Sequence, residues 1–348
     1  MRYLLTFKPL KHFFFGNNKT FSQDYVAKSE YFPQPTQLLG ALRLFIAEQN
    51  NLMSMHKNGK YSNHPEELKK LIGDAKSDDF YKNDNLGVIK NLSSMFIVDK
   101  SLDDAYFFTP LDIEISKNHI KRYTLNNFED EYFLSDYDIK NSSFQHLAGS
   151  EFWKDYIEDK ELKNNSIKSF DSVFVTHTQV GIALEGKKTI DGAFYSKVDY
   201  TLDKEYLFAC VVELEEDVIK NGIINLGAES SLFELNIKKL QDTNLAQHII
   251  ISHLFKMPTP TSKVVAISET IADTKEFKAK FHITPFYKNF AMIKSNKAYT
   301  KFAGKTKNSR LIPNGSVFYT PQTLPKAKNA YAKMGFNQFI SINGEKNV

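Results

Sequence analysis

The chain contains very little cysteine, since Cys210 is the only one among 348 residues. A single cysteine excludes an intrachain disulfide and is typical of proteins that work in a reducing compartment. Long apolar runs are also missing, because no stretch approaches the roughly 18 apolar residues that a membrane-spanning helix needs. The apolar run in the N-terminal segment MRYLLTFKPL is too short for a signal peptide. We therefore expect a soluble, cytoplasmic protein.

The sequence also lacks the usual signatures of metal and phosphate chemistry. It has no HExxH motif and no cysteine pair. The segment AGKT at residues 303–306 resembles the end of a phosphate-binding loop, but Tyr299 occupies the position of that loop's first glycine. We predict no metal and no cofactor. His12 or His177, with a nearby Tyr and Lys, is a candidate for general acid–base cleavage of RNA, but that constellation is easily met by chance.

Charge is distributed unevenly along the chain. Residues 99–163 carry 15 acidic and 8 basic side chains, whereas residues 277–344 carry 12 basic side chains and no Asp or Glu. Eleven aromatic residues are interleaved with these basic residues between Phe281 and Phe339. Lysine and arginine neutralise phosphates and aromatic rings stack on unpaired bases, so the C-terminal segment predicts a nucleic-acid-binding face. The acidic segment is better suited to a basic protein partner.

Residues 31–45, YFPQPTQLLGALRLF, predict a helix with one apolar stripe toward the core. Thr36 is the expected capping residue of its first turn. The opposite side carries Gly40, Arg43 and Ala47. Glycine inside a helix costs about 1 kcal/mol relative to alanine. We interpret this side as a shallow face that a large partner approaches.

Elsewhere, strand patterns outnumber helical ones. RYLLTF, SSMFIVD, AYFFTPLDI, DSVFVTHTQVGIAL, GAFYSKVDYTL and EYLFACVVEL all predict strands, and later strands are expected at FELNI, KVVAIS, RLIPNGSVFYT and FNQFISI. HPEELKKLI and EEDVIKNG predict helical turns. Strands punctuated by a few helices, without regular alternation, indicate an α+β fold with antiparallel sheets.

Five segments, in the same order and with the same spacing, resemble a known family. They are PLKHFFFGNNKTFS, SEYFPQPTQLLGALR, VGIALEGKKTIDGAFYSKVDY, NLGAESSLFEL and RLIPNGSVFYT. The third is the most specific, with Gly-Ile-x-Leu, a basic turn, Thr and then Gly-x-x-Tyr. The chain is similar to the RAMP superfamily of CRISPR effector complexes, and within it to the third subunit of the type III-B (Cmr) complex. Residues 50–165 match least.

The resemblance implies two ferredoxin-like (RRM-type) domains with antiparallel sheets and a β-hairpin thumb that inserts into guide RNA. We place them at residues 1–175, with the thumb and an insertion at about 50–165, and at 176–348. The resemblance also implies a non-catalytic subunit that holds the 5′ tag of the guide RNA in antiviral defence. Its partners would be the large polymerase-like signalling subunit and the backbone RAMP subunits.

The candidate RNA contacts come from the basic and aromatic positions of the matched segments and of residues 277–344, which we call the acid-free segment. In chain order they are Lys19, Phe21, Arg43, Lys187, Lys188, Lys305, Lys307, Arg310, Lys333, Gly335 and Phe336. The last three lie in AKMGFNQFISI, which corresponds to the glycine-rich loop of the superfamily. Asn337 stands where a second glycine is common, and Phe336 either stacks a base or packs inward.

Two alternatives remain open at this point. One is a metal-independent RAMP endoribonuclease that processes precursor guide RNA through His12 or His177. The other is the equivalent subunit of the related Csm complex.

The acid-free segment generates the first test. Replacing Lys305, Lys307 and Arg310 together by Ala should weaken RNA binding and flatten its dependence on salt, because each phosphate contact releases counterions. Binding titrations at several salt concentrations measure both quantities. An unchanged slope in the triple variant would exclude this cluster from the interface.

Overall fold

The computed structural model describes fifteen stretches of the chain. They are residues 1–16, 26–56, 59–61, 64–73, 85–116, 119–128, 131–135, 137, 144–185, 188–228, 231–256, 262–272, 278–290, 309–323 and 329–342.

The strands, in chain order, are as follows. The first half has β1 (Arg2–Pro9), β2 (Val26–Lys28), β3 (Ser54–His56), β4 (Gly59–Tyr61), β5 (Ile89–Leu92), β6 (Phe96–Asp99), β7 (Ala105–Phe108), β8 (Ile113–Ile115), β9 (Ile120–Arg122), β10 (Leu125–Phe128), β11 (Glu131–Leu134), β12 (His146–Ala148) and β13 (Ile167–Ser169). The second half has β14 (Phe174–Glu185), β15 (Lys188–Leu202), β16 (Tyr206–Leu214), β17 (Gly222–Asn225), β18 (Leu232–Lys239), β19 (Lys263–Ala266), β20 (Thr270–Ala272), β21 (Lys278–Ile283), β22 (Lys288–Phe290), β23 (Ser309–Ile312), β24 (Val317–Thr323) and β25 (Phe339–Ile342).

Helices are few and mostly short. They are α1 (Pro35–Gln49), α2 (Pro65–Ile72), α3 (Ser150–Ile157), α4 (Phe170–Val173), α5 (Ile249–His253) and α6 (Asn329–Lys333). Three 3-10 turns lie at Asn164–Ser166, Leu240–Asp242 and Asn244–Gln247. No helix in the described stretches is long and apolar enough to cross a membrane.

A nine-stranded sheet forms the centre of the molecule. Its order is β13-β12-β7-β6-β16-β1-β18-β17, and β5 also pairs with β16. Strand β1 alternates between the two faces, because Leu5 and Phe7 enter one apolar core while Leu4 enters the other. The sheet is therefore covered on both sides, and the expected α+β fold with antiparallel sheets is confirmed.

The first core lies under α1, whose residues Leu38, Leu42 and Phe45 are buried there. The helix begins at Pro35 rather than with a threonine cap, so the prediction for Thr36 was wrong. Proline is favoured at the first helical position, which makes Gln34 the capping residue. Its backbone N–H donates to Gln37 Oε1 at 3.1 Å.

The second core joins the nine-stranded sheet to a four-stranded sheet of order β21-β24-β19-β25. Phe152 and Trp153 of α3 pack in it beside Val265 and Ile340 of the smaller sheet. Buried Asp112 fixes this junction: its carboxylate accepts from the Tyr156 hydroxyl at 2.7 Å and lies 3.0 Å from Lys263 Nζ.

The nine-stranded sheet draws strands from both sides of residues 175 and 176. These are β1, β5, β6, β7, β12 and β13 on one side and β16, β17 and β18 on the other. The division into two domains at that point stays a prediction. EEDVIKNG, which we predicted as a helical turn, forms bends before β17. RLIPNGSVFYT divides into β23 and β24, because the chain turns at Pro313–Ser316.

Two glycines give a matched test of the fold. Gly335 has φ +101°, and an added Cβ would lie 2.7 Å from the Ser94 backbone nitrogen. Gly40 lies in α1 with nothing within 4 Å of the same added atom. Gly335→Ala should lower the free energy of unfolding by at least about 1–3 kcal/mol, whereas Gly40→Ala should raise it by about 1 kcal/mol.

Urea denaturation of the two variants and of the parent chain measures both effects. A destabilising Gly40→Ala would show that the fold itself needs this glycine, and would contradict the interpretation of its side of α1 as a face for a partner.

Candidate nucleic-acid interface

A long β-hairpin is the most extended feature of the surface. Strands β14 and β15 contain 12 and 15 residues and pair from Phe174 with Leu202 to Glu185 with Lys188. The register shifts between Ile182 and Leu184, which marks a bulge in the hairpin. The basic turn predicted from the sequence thus lies at the tip of the hairpin. Lys188 is the first residue of β15, and Lys187 lies outside the described residues.

The two-stranded sheets in the described part of residues 50–165 are all short hairpins. They are formed by β3 with β4, β8 with β9 and β10 with β11, each three or four residues long. The expected thumb at about 50–165 stays a prediction, and the β14–β15 hairpin is the longer candidate.

The base of the hairpin is fixed by the alternation of β15. Val198 and Tyr200 pack toward the first core, and Phe13 pairs with Tyr200 through backbone hydrogen bonds of 2.8 and 3.3 Å. Because strand side chains alternate, Lys197 and Asp199 lie on the opposite face of the strand. That face borders a groove of about 590 Å³.

The groove contains an unusual buried carboxylate, that of Asp199. We call it the Asp199 groove. Asp199 is 2% exposed although it lies on the outer face of the hairpin. One of its oxygens lies 3.2 Å from His12 Nδ1 and the other lies 3.3 Å from Lys197 Nζ. The Lys197 ammonium also lies 5.3 Å from the centre of the Phe14 ring, a cation–π contact. The remaining lining residues are Lys11, Phe13, Gln179 and Ser231.

A second histidine lies against the first. The rings of His12 and His177 stack with centroids 4.0 Å apart and planes inclined by 18°. His177 Nε2 lies 2.9 Å from the hydroxyl oxygen of Thr201. The structure therefore brings together two histidines that the sequence offered as separate acid–base candidates, and adds Asp199, which the sequence reasoning missed.

A larger cavity of about 610 Å³ lies beside the segment that leads into α1. Aromatic rings supply much of its lining: Tyr31, Phe32, Phe108, Phe144, Phe170 and Phe286. Phe286 is 40% exposed and makes an edge contact of 5.7 Å with Phe144. A cavity of this size with aromatic walls and a few polar groups is typical of a site for a planar ligand.

An ion cluster closes one side of this aromatic cavity. Lys288 Nζ lies 3.2 Å from Glu30 Oε2 and 3.3 Å from Glu269 Oε1. Burial raises the pKa of Glu269, and the Lys288 charge opposes that effect. Burial lowers the pKa of Lys288, but the two carboxylates outweigh it and raise the pKa. This basic residue of the acid-free segment is thus neutralised by carboxylates from elsewhere in the chain.

Helix α1 presents part of the predicted shallow face. Gly40 is exposed and Arg43 is half-buried beside it. Ala47 is fully buried, so its assignment to this face was wrong. The chain near Lys220 covers that end of the helix, where Gln49 donates to the Lys220 carbonyl oxygen at 2.8 Å.

The predicted C-terminal contacts divide into exposed and buried residues. Arg310 is exposed on β23, with its guanidinium 5.8 Å from the centre of the Tyr287 ring. Lys333 is half-exposed at the end of α6. Phe336 is 0% exposed and packs against Phe290 at 5.4 Å. A fully buried ring offers no face to a base, so the structure does not support Phe336 as an RNA contact.

The positive φ of Gly335 agrees with the unusual backbone geometry expected for it. This glycine is packed closely against the backbone of Ser94, however, and does not lie at an open surface. Asn337 also has a positive φ, and its amide pairs with the backbone of Ile271 at 2.8 and 3.2 Å. This loop therefore fastens β25 to the neighbouring β20.

Four further candidates, Lys19, Phe21, Lys305 and Lys307, lie outside the described residues, as does the AGKT segment. Within the described stretches, no group of three or more His, Cys, Asp and Glu side chains is placed to hold a metal ion.

Comparison with known proteins places this architecture in context. The model of a family described as CRISPR-associated protein (Cas_Cmr3) matches residues 5–249. A chain of a type III-B Cmr-beta complex bound to cognate target RNA is similar with a TM-score of 0.53 and 14% identity, over 98% of this chain and 97% of that chain. A second such chain, from the complex with target RNA and AMPPnP, gives 0.52 and 13% over the same shares. No curated protein matches the sequence.

Proposed function

Because the chain belongs to the Cas_Cmr3 family of CRISPR-associated proteins, we propose that it is the RNA-binding subunit of a type III-B effector complex that holds the 5′ tag of the guide RNA. The family match over residues 5–249 is the observation that carries this proposal, and it confirms the resemblance seen in the sequence. Within the complex, the subunit links the large signalling subunit to the backbone filament. It acts in antiviral defence in the cytoplasm.

The β14–β15 hairpin is the element that enters the guide RNA. Its strands of 12 and 15 residues are the longest in the described part of the chain, and the sequence places the basic pair Lys187 and Lys188 where the two strands meet. The similar chains come from complexes bound to target RNA, which supports a role beside RNA for this fold. Lys187 and Lys188 supply phosphate contacts at the tip.

The aromatic cavity accepts an unpaired base of the tag. Sequence-specific recognition of RNA generally uses unstacked bases that rest on aromatic rings. Phe286 offers such a ring, since it is 40% exposed and lines the cavity with Tyr31 and Phe32. Arg43 and Arg310 contact the RNA outside the cavity.

A second candidate function is the metal-independent endoribonuclease, favoured by the contact of His12 with His177. In-line displacement at phosphorus needs the acid and the base near the leaving and attacking oxygens, on opposite sides of the phosphate. Rings stacked at 4.0 Å leave no space for a phosphate between them. The geometry therefore favours binding over cleavage. The family match likewise favours the Cmr subunit over its Csm equivalent.

The function is tested with two RNAs of equal length and composition, one carrying the 5′ tag and one with the tag sequence scrambled. We expect the parent chain to bind the tagged RNA about tenfold more tightly in fluorescence anisotropy. Phe286→Ala should reduce the affinity for tagged RNA, since stacking contributes about 1–3 kcal/mol per base.

Ile223→Ala is the control, because Ile223 is 53% exposed on β17 and lies outside the cavity. Equal affinity for the two RNAs would contradict tag recognition. Cleavage of labelled repeat RNA without metal, abolished by His12→Ala or His177→Ala, would establish the endoribonuclease instead.

A further inference from the structure

The Asp199 groove combines positive charge with two groups that gain charge as the pH falls. With both imidazoles neutral, Lys11 and Lys197 outweigh the single carboxylate of Asp199 and leave one net positive charge. Protonation of His12 and His177 adds two more. Histidine is the side chain whose charge ordinarily changes between about pH 5 and 8.

The two protons are not equivalent in this arrangement. A proton on His12 is compensated by Asp199, whose oxygen lies 3.2 Å from Nδ1. A proton on His177 meets the first imidazolium at 4.0 Å. Asp199, the register partner of His177 on β15, also lies 3.2 Å from His12, so one carboxylate faces two imidazolium charges. Like charges at this separation repel, so an additional anion in the groove favours the doubly protonated state.

The lining residues present hydrogen-bond donors of the kind that recognise a phosphate oxygen. Lys11 and Lys197 supply ammonium groups, Gln179 supplies an amide and Ser231 a hydroxyl. The His12 side chain is 43% exposed and the Lys197 side chain is 16% exposed, so part of each is accessible from the groove. The groove lies at the foot of the hairpin, beside the path that the proposed function gives to RNA.

We propose that the Asp199 groove binds a backbone phosphate of the guide RNA and that its affinity rises as His12 and His177 become protonated. This inference rests on the proposed function, because it takes the RNA of that function as its ligand. It adds Lys11 and Lys197, which the sequence analysis did not place at the RNA, and gives His12 and the stacked His177 a role in binding instead of the cleavage considered there. It also makes assembly on the guide sensitive to pH.

The sign follows from linkage between the proton and the phosphate. The charged groups that face the imidazoles are Asp199 and Lys197 of β15 and Lys11 of the neighbouring segment, while Gln179 and Thr201 are neutral. A bound phosphate favours the protonated imidazoles, so by reciprocity protonation favours the phosphate. Affinity for RNA therefore increases from pH 8 to pH 6.

The first measurement is the affinity of the full chain for tagged guide RNA at pH 6 and pH 8, at constant ionic strength because phosphate binding depends on salt. We expect the parent chain to bind about five- to tenfold more tightly at pH 6, within the usual range of coupling between two sites. The double variant His12→Gln/His177→Gln should lose that difference.

His119→Gln is the matched control, since His119 is exposed on the β8–β9 turn and its Nδ1 lies 2.7 Å from the Ser116 hydroxyl oxygen. It should keep the pH dependence of the parent chain. The single variant His177→Gln leaves the contact of His12 with buried Asp199 intact and serves if the double variant does not fold. A pH dependence unchanged in these groove variants would overturn the proposal.

The second measurement separates the groove from the proposed function. Histidine Cε1–H resonances of the intact chain are followed against pH with and without inorganic phosphate. The titration curves of His12 and His177 should move to higher pH with phosphate, and that of His119 should not.

Movement of these curves in a chain that does not prefer tagged RNA would keep the phosphate site and refute tag binding. Tag preference without any movement would keep the function and refute the site. Cleavage of the RNA by the parent chain but not by the double variant would replace the phosphate site by a nuclease centre and contradict the proposal.

Discussion

The register of strand β15 is the constraint on which the candidate interface depends. Tyr200 is 1% exposed in the first core and is held there by backbone pairing with Phe13. A slip of one residue would turn every side chain of the strand to the other face. Asp199 and Lys197 would then enter the core and the Asp199 groove would not exist. The same buried tyrosine thus anchors the long hairpin and orients the charges at its foot.

Ion pairs with residues distant in the sequence neutralise part of the positive charge of the acid-free segment. Lys288 is the clearest case, because Glu30 and Glu269 neutralise it from two other parts of the fold. Lys280 is engaged differently, with its ammonium 5.7 Å from the Tyr132 ring. Arg310 remains exposed. Among the described basic residues of 277–344, Lys288 therefore has a structural role, whereas Lys278, Lys280 and Arg310 are exposed.

Local patterns predicted much of the fold. Strands β1, β6, β7 and β14–β16 lie where alternation and β-branched residues indicated them, since those signals depend on nearby residues. The cap of α1 was missed because the helix begins at Pro35, which places the cap at Gln34, two residues before Thr36. Ala47 is buried although helical spacing placed it beside exposed Gly40, and the spacing does not reveal that the distant segment around Lys220 bonds to the same end of the helix.

The candidate site was less accessible to sequence reasoning. His12 and His177 are 165 residues apart in number, and their stacking results from the pairing of Phe13 with Tyr200 and of His177 with Asp199. The sequence shows that Lys197, Asp199 and Thr201 alternate along one polar face of β15. It does not show which residues of other elements lie beside that face. Phe336 shows the converse, because an aromatic in a basic segment was buried against Phe290.

Site-specific photocrosslinking tests the central claim, that RNA lies along the β14–β15 hairpin, most directly. A photoreactive residue at Val180, which is 63% exposed on β14, is compared in the assembled complex with one at Ile223, which is 53% exposed on β17. The account predicts that the 5′ tag crosslinks to position 180 and not to position 223. Crosslinks at position 223 with none at 180 would contradict it.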